Sequence, residues 1–260
     1  MADILVLFAS KGDEKAYAPA CEFLDTHNVS YDFRMASAHK TPKDVEEILK
    51  KKYKVIITGA GLAAALPGVV AANVLCPVIG VPGSGNLEGL DALLAIMQMP
   101  PGIPVLTSGV DNGGEAAENA VLMLRQPERV VLVGDDGPIM KKAEDLLMKF
   151  CVAVSHAKHT DGSAVNIVFS PAKKAPQKEK GIVIHCPLVD AQDDRAEVAL
   201  VLLKNTSHGL WVGLNNATNA AIGAIEILNM GGKYTEKLIE YRKEQADKVR
   251  SYSKYNGAQK

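Results

Sequence analysis

The chain opens on five uninterrupted apolar residues, Ile4-Leu5-Val6-Leu7-Phe8, and this run limits the possible folds more than any other feature. A strand with one wet face alternates apolar and polar residues. A strand that is apolar throughout must be covered on both faces. Further strand candidates follow at residues 31–36, 55–58, 77–81 and 104–108, separated by stretches with helical spacing. Residues 14–27 put Ala16, Ala20, Phe23 and Leu24 on one helical face. Thr41-Pro42 reads as the N-cap and first residue of a second helix. Strands alternating with helices make βαβ units, right-handed crossovers and a parallel sheet. The expected fold is α/β, a three-layer α/β/α sandwich.

After Gln126-Pro127-Glu128 the pattern restarts. Val130–Val133 is again a buried-type run, followed by Gly134-Asp135-Asp136-Gly137-Pro138 and an amphipathic helix over 139–150. The openings ILVLFASKGD and VVLVGDDGP correspond, and so do the endings built on Asn119-Ala120-Val121-Leu122 and Asn219-Ala220-Ala221-Ile222. These echoes predict two tandem related domains, 1–127 and 128–260, by internal duplication. The second is shorter, with a strand over 181–187 and a charged loop, Lys173–Lys180. A terminal helix is expected over about 232–253, with Tyr234, Leu238, Tyr241, Gln245 and Val249 on one stripe packed on another domain or subunit.

Composition narrows the function. With 29 basic and 30 acidic residues there is no basic field to hold nucleic acid, and 5% aromatics supply few stacking platforms. No apolar run reaches the roughly 20 residues of a membrane span, and residues 62–81 are interrupted by Pro67, Gly68, Asn73 and Pro77. The N-terminus carries Asp3 where a signal peptide would carry base. Cys21, Cys76, Cys151 and Cys186 form no CxxC pair and read as reduced, mostly buried thiols of a cytoplasmic protein.

Open parallel sheets bind ligands at the carboxyl ends of their strands. In the first half those ends carry Ser10-Lys11-Gly12-Asp13, Ser37-Ala38-His39-Lys40, Gly59-Ala60-Gly61 and Pro82-Gly83-Ser84-Gly85. Glycines and helix N-termini let backbone N–H groups meet a phosphate. Ser10, Ser37 and Lys40 can bind a phosphate monoester, and Asp13 can accept from ribose hydroxyls. Histidine is the one residue type of the set that ordinarily titrates near neutrality, so His39 is the natural general acid/base.

The motif Ser37-Ala38-His39-Lys40-Thr41-Pro42 resembles the SAH[RK]TP signature of the PurE family. So do residues 59–68, 77–82 and Gln98-Met99-Pro100-Pro101-Gly102-Ile103-Pro104-Val105, in the same order, over about residues 3–125. These enzymes are N5-carboxyaminoimidazole ribonucleotide mutases and aminoimidazole ribonucleotide carboxylases of purine biosynthesis. The resemblance implies a flavodoxin-like sandwich, a ribonucleotide substrate with CO2, and no metal or organic cofactor. It also implies an oligomer, here four tandem chains resembling an octamer. It puts Ser10, Gly12 and Asp13, and Ser37, Ala38 and Lys40, around the ribose phosphate, with His39 catalytic. Gly59, Ala60, Gly61 and Leu62 would line the base and CO2 pocket, and Gln98, Met99 and Pro100 would help close it. Ala65 stands where most bacterial mutases have His, and Lys40 where many members have Arg. Direct carboxylation, carboxylation of another nucleotide and a non-catalytic binding role are the alternatives. The second half keeps only Ser155-His156-Ala157-Lys158-His159-Thr160 as a scrambled echo, and Asp135 and Asp136 would repel a phosphate.

Overall fold

A computed structural model describes residues 2–252. The first half runs β1 (Ile4–Phe8), α1 (Glu14–Thr26), β2 (Tyr31–Met35), α2 (Pro42–Leu49), β3 (Val55–Ala60), α3 (Ala65–Asn73), β4 (Val78–Pro82), α4 (Leu90–Met97), β5 (Leu106–Thr107) and α5 (Gly113–Met123). The second runs β6 (Arg129–Val133), α6 (Pro138–Lys149), β7 (Ala153–Ala157), β8 (Val165–Pro171), β9 (Ile182–Leu188), α7 (Arg195–Asn205), β10 (Leu210–Trp211) and α8 (Ala217–Leu228), and ends in α9 (Thr235–Ser251). The expected end of that last helix at residue 253 lies outside the described residues.

All ten strands form one sheet, ordered β2-β1-β3-β4-β5-β10-β9-β8-β6-β7. The order 2-1-3-4-5 of the first half returns as 7-6-8-9-10 in the second, with parallel pairing inside each half. The halves meet where β5 and β10 pair antiparallel at Thr107 and Trp211. The carboxyl ends of their strands therefore point to opposite edges of the sheet.

Alternation along β1 explains the layers. Ile4, Val6 and Phe8 face α1 and α5 in a core that continues across the seam to α6 and α8. Leu5 and Leu7 face α2, α3 and α4. Helices α1 and α5 approach closely at Gly113, where a Cβ would lie 2.1 Å from the carbonyl oxygen of Ala16. That obstacle is backbone, so Gly113→Ala must push the helices apart. The expected cost is about 1–3 kcal/mol, read as a lower midpoint in a denaturant melt.

Three expectations need correction. The strand expected over 104–108 is only Leu106–Thr107, because its antiparallel partner meets it at a single residue pair. Thr41 does occupy the N-cap position of α2 but makes no capping bond; its Oγ1 instead accepts from the Ser37 N–H at 2.9 Å. Of the cysteines only Cys186 is buried, and Cys151 is exposed at the end of α6.

The second half also lacks helices between β7 and β8 and between β8 and β9. Its corresponding face is covered by the non-helical segments 158–164 and 172–181 and by α7. Strand β7 has no apolar signature because it is an edge strand and mostly exposed. The first part of the terminal-helix stripe packs on the same chain, while Val249 is exposed. Tyr234, Leu238 and Tyr241 are buried, and Arg242 bonds both Glu226 on α8 and the carbonyl of Ala71 on α3. No described helix is long and apolar enough to cross a membrane.

Candidate active site

The first loop is a 3-10 turn, Lys11–Asp13, capped by Ser10. Ser10 Oγ accepts from the Gly12 N–H at 3.1 Å, and the Ser10 N–H and hydroxyl donate to Asp13 Oδ2 at 2.8 and 3.2 Å. The other carboxylate oxygen, Oδ1, accepts from the Gly61 N–H at 3.2 Å. Asp13 is buried, and it ties the loop after β1 to the loop after β3. An acid that answers three donors is a brace for the site.

The second loop closes on itself. The Lys40 N–H donates to Ser37 Oγ at 3.3 Å, and the Thr41 N–H to the Ser37 carbonyl at 2.9 Å. This turn holds His39 and Lys40 out from the sheet, exposed. Neither side chain has a hydrogen-bond or ion-pair partner among the described residues. Lys11 is likewise exposed and unpaired there, so the loops after β1 and β2 carry two exposed cations without ion-pair partners, while Asp13 is buried. That arrangement favours an anion.

The third loop begins after Ala60. Gly59 and Ala60 are interior residues of β3, and a Cβ on Gly59 would lie 2.3 Å from the Val81 carbonyl oxygen. Gly59 is thus glycine for strand packing, a reason the motif alone does not reveal. Gly61 and Leu62 stand at the edge, with Leu62 63% exposed at φ 55°. That backbone region is unusual for a branched apolar residue. The next loop joins them, since the Gly83 N–H donates to Ala60 O at 3.1 Å and the Ser84 N–H to Asp111 Oδ1 at 2.9 Å.

Gln98, Met99 and Pro100 are not brought to this edge. They follow α4, which runs back from the carboxyl end of β4, and so lie at the opposite edge of the first half. There the seam reverses direction, and they meet the second half. Asn216 Nδ2 donates to Met99 O at 3.1 Å, Asn219 Nδ2 to Pro100 O at 3.1 Å, and the Gly102 N–H to Asn219 Oδ1 at 2.6 Å. The mirrored contacts are Asn112 Nδ2 to Ser207 O and the Gly209 N–H to Glu115. Asn219 and Glu115, missed as partners in the sequence, hold the seam.

The equivalent edge of the second half is acidic. His156 lies 2.9 Å from Glu144 and 3.6 Å from Asp136. The bond from His156, then that from Lys141, holds the Glu144 carboxyl below its usual range. Register explains the scrambled echo. Met35 pairs with the last residue of β1 and Ala157 with the last of β6, so Ser155 and His156 lie inside a strand and not after one.

Residues 3–133, half the chain, match the family of AIR carboxylases. The chain belongs to this family. It is 50% identical to the N5-carboxyaminoimidazole ribonucleotide mutase of Methanocaldococcus jannaschii over 46% of this chain and 78% of that protein. It is 43% identical to the enzyme of that name from Haemophilus influenzae, over 55% of this chain and 87% of that one. A phosphoribosylaminoimidazole carboxylase of Candida glabrata is 44% identical over 46% of this chain and 22% of its own length. The edge built from the loops after β1, β2 and β3 lies wholly within the part that matches the family.

Proposed function

We propose that this chain converts N5-carboxyaminoimidazole ribonucleotide to 4-carboxyaminoimidazole ribonucleotide at the carboxyl edge of its first half. The observation that carries this reading is the family match over residues 3–133 together with one edge where His39 stands unengaged beside two free cations. Ser10, Gly12, Ser37, Ala38 and Lys40 receive the phosphate and ribose, with Lys40 as a point charge and not a bidentate fork. Asp13 holds the first loop in place. Gly61 and Leu62 border the base. The N–CO2 bond breaks within the closed site and the freed exocyclic nitrogen takes a proton from His39; C4 of the ring then attacks the held CO2, and His39 takes the C4 proton back. Holding CO2 beside C4 makes the step effectively unimolecular, and excluding water keeps CO2 from escaping.

Gln98, Met99 and Pro100 lie too far round the sheet to serve this edge of their own chain. The second half, with its acidic edge, serves as a scaffold descended from the same domain. Phe33, Met35, Leu62 and Leu87 are exposed on the first half, and a second copy covering them would help enclose His39. Light scattering should then give an oligomer, with four chains expected; a stable monomer would sink that part of the reading.

Direct carboxylation is the second reading, favoured by Lys40 and by the 44% identity to the Candida glabrata carboxylase. The test is absorbance of the carboxylated imidazole, with N5-carboxyaminoimidazole ribonucleotide or with aminoimidazole ribonucleotide plus bicarbonate. Turnover of the first alone is expected. Turnover only with CO2 selects the carboxylase, and silence in both rejects aminoimidazole ribonucleotide chemistry in favour of another nucleotide substrate or a binding role.

A further inference from the structure

The second half carries a cavity where its fold departs from that of the first. It lies on the sheet face left without helices between β8 and β9, beneath the loop over 172–181. Its walls are Val168, Ser170, Lys174, Gln177, Glu179 and His185, around about 210 Å3. The origin is legible in the register. His185 pairs with Trp211 and Gly80 with Thr107, while Thr107 and Trp211 face each other across the seam. His185 is therefore the equivalent of Gly80. On that glycine a Cβ would lie 2.3 Å from Ile96 and 2.6 Å from Val105, and Pro67 of α3 packs above it. Where Ile96 of α4, Val105 and Pro67 of α3 fill the first half, the second half has an imidazole and an open space.

The imidazole is only 3% exposed and stacks on Trp211, with ring centroids 4.3 Å apart. Its Nδ1 is buried with no hydrogen-bond partner in the protein. Burial, and to a lesser extent His208, lowers its pKa to about 4, so it is uncharged at neutral pH. A buried, unmet ring nitrogen is costly unless something answers it. Ser170 and Gln177 add a hydroxyl and an amide. At the rim stand one cation and one anion, Lys174 and Glu179, neither of which has an ion-pair partner among the described residues. Their neighbours differ, since Lys173 is held by Glu197 and Lys178 by Glu118. A mouth with both signs of charge unsatisfied suits a ligand that carries both. At roughly 30 Å3 per water, the space equals about seven waters, room enough to admit a small amino acid.

We propose that this cavity is a binding site for a small zwitterion of the α-amino-acid class. The carboxylate meets Lys174, the ammonium meets Glu179, and the polar side chain enters toward Ser170, Gln177 and His185. The site lies at the opposite edge of the sheet from His39 and does not depend on which reaction His39 serves.

Trp211 is the only tryptophan in the chain, so its fluorescence reports on the cavity through the ring stacked upon it. The full chain is titrated with L-serine, L-asparagine and L-glutamine, and in parallel with propionate and ethylammonium as single-charge controls. A saturable change with at least one amino acid and none with the controls is expected. Lys174→Met and Glu179→Gln, both on the loop and harmless to the core, should each weaken binding at least about tenfold, the loss of one charge-assisted contact. No saturable response to any of the three, an equal response to propionate or ethylammonium, or binding indifferent to both rim variants overturns the proposal.

Discussion

His39→Asn is expected to abolish carboxyl transfer while leaving the protein folded. General acid–base groups contribute roughly 10²–10⁴-fold, so kcat should fall by about that factor. Nucleotide affinity should change little, because Asn still fits the turn closed by Ser37 and Thr41. The His39 ring is exposed and has no hydrogen-bond partner among the described residues, so the melting midpoint should not move. The measurement is turnover of N5-carboxyaminoimidazole ribonucleotide beside calorimetric binding of the same compound. A variant that binds and does not turn over supports His39 as the proton carrier. A variant with full turnover places the proton transfer elsewhere.

Arg242→Met should produce the largest loss of stability. Arg242 reaches from α9 to Glu226 at 2.9 Å and to the Ala71 carbonyl at 3.1 Å, so one side chain clamps helices from both halves. Glu226 is 2% exposed. Burial pushes its carboxyl up to about 8, against the opposing pull of Arg242. A carboxyl raised in the folded state contributes most when protonated, below its ordinary value of 4.5, and that contribution is lost as pH rises toward 8. Removing Arg242 takes away the only opposing pull, so the loss should grow with pH. It should reach about 3–5 kcal/mol near pH 8 and be smaller at pH 5. Denaturant melts at the two pH values test this directly. Glu226→Leu combined with Arg242→Met should recover much of the loss, since two apolar side chains leave no buried charge. A pH-independent loss would mean that the Ala71 contact dominates.

These two predictions draw on different kinds of information. His39 and its loop were legible in the sequence. A motif after a strand and before a Thr-Pro helix start can lie only at the carboxyl edge of a parallel sheet. The loops after β1, β2 and β3 were readable for the same reason. Asp13 was readable as a site residue but not as the brace to Gly61, because that bond joins loops far apart in the chain. Glu226 and Arg242 gave no signal, since each sits in an ordinary helical pattern.

The sequence by itself determined the alternation of strands and helices in the first half, its parallel pairing and the position of the catalytic-type motif. The physical reason is that burial on both faces of a strand, and the residue types that end helices, are written locally. Only the tertiary structure decided that the halves join antiparallel through Thr107 and Trp211, because that choice rests on one residue pair. That reversal sends Gln98, Met99 and Pro100 to the opposite edge, where Asn216 and Asn219 hold their backbone. The second half also crosses from β8 to β9 without a helix, so α3 has no equivalent beside His185.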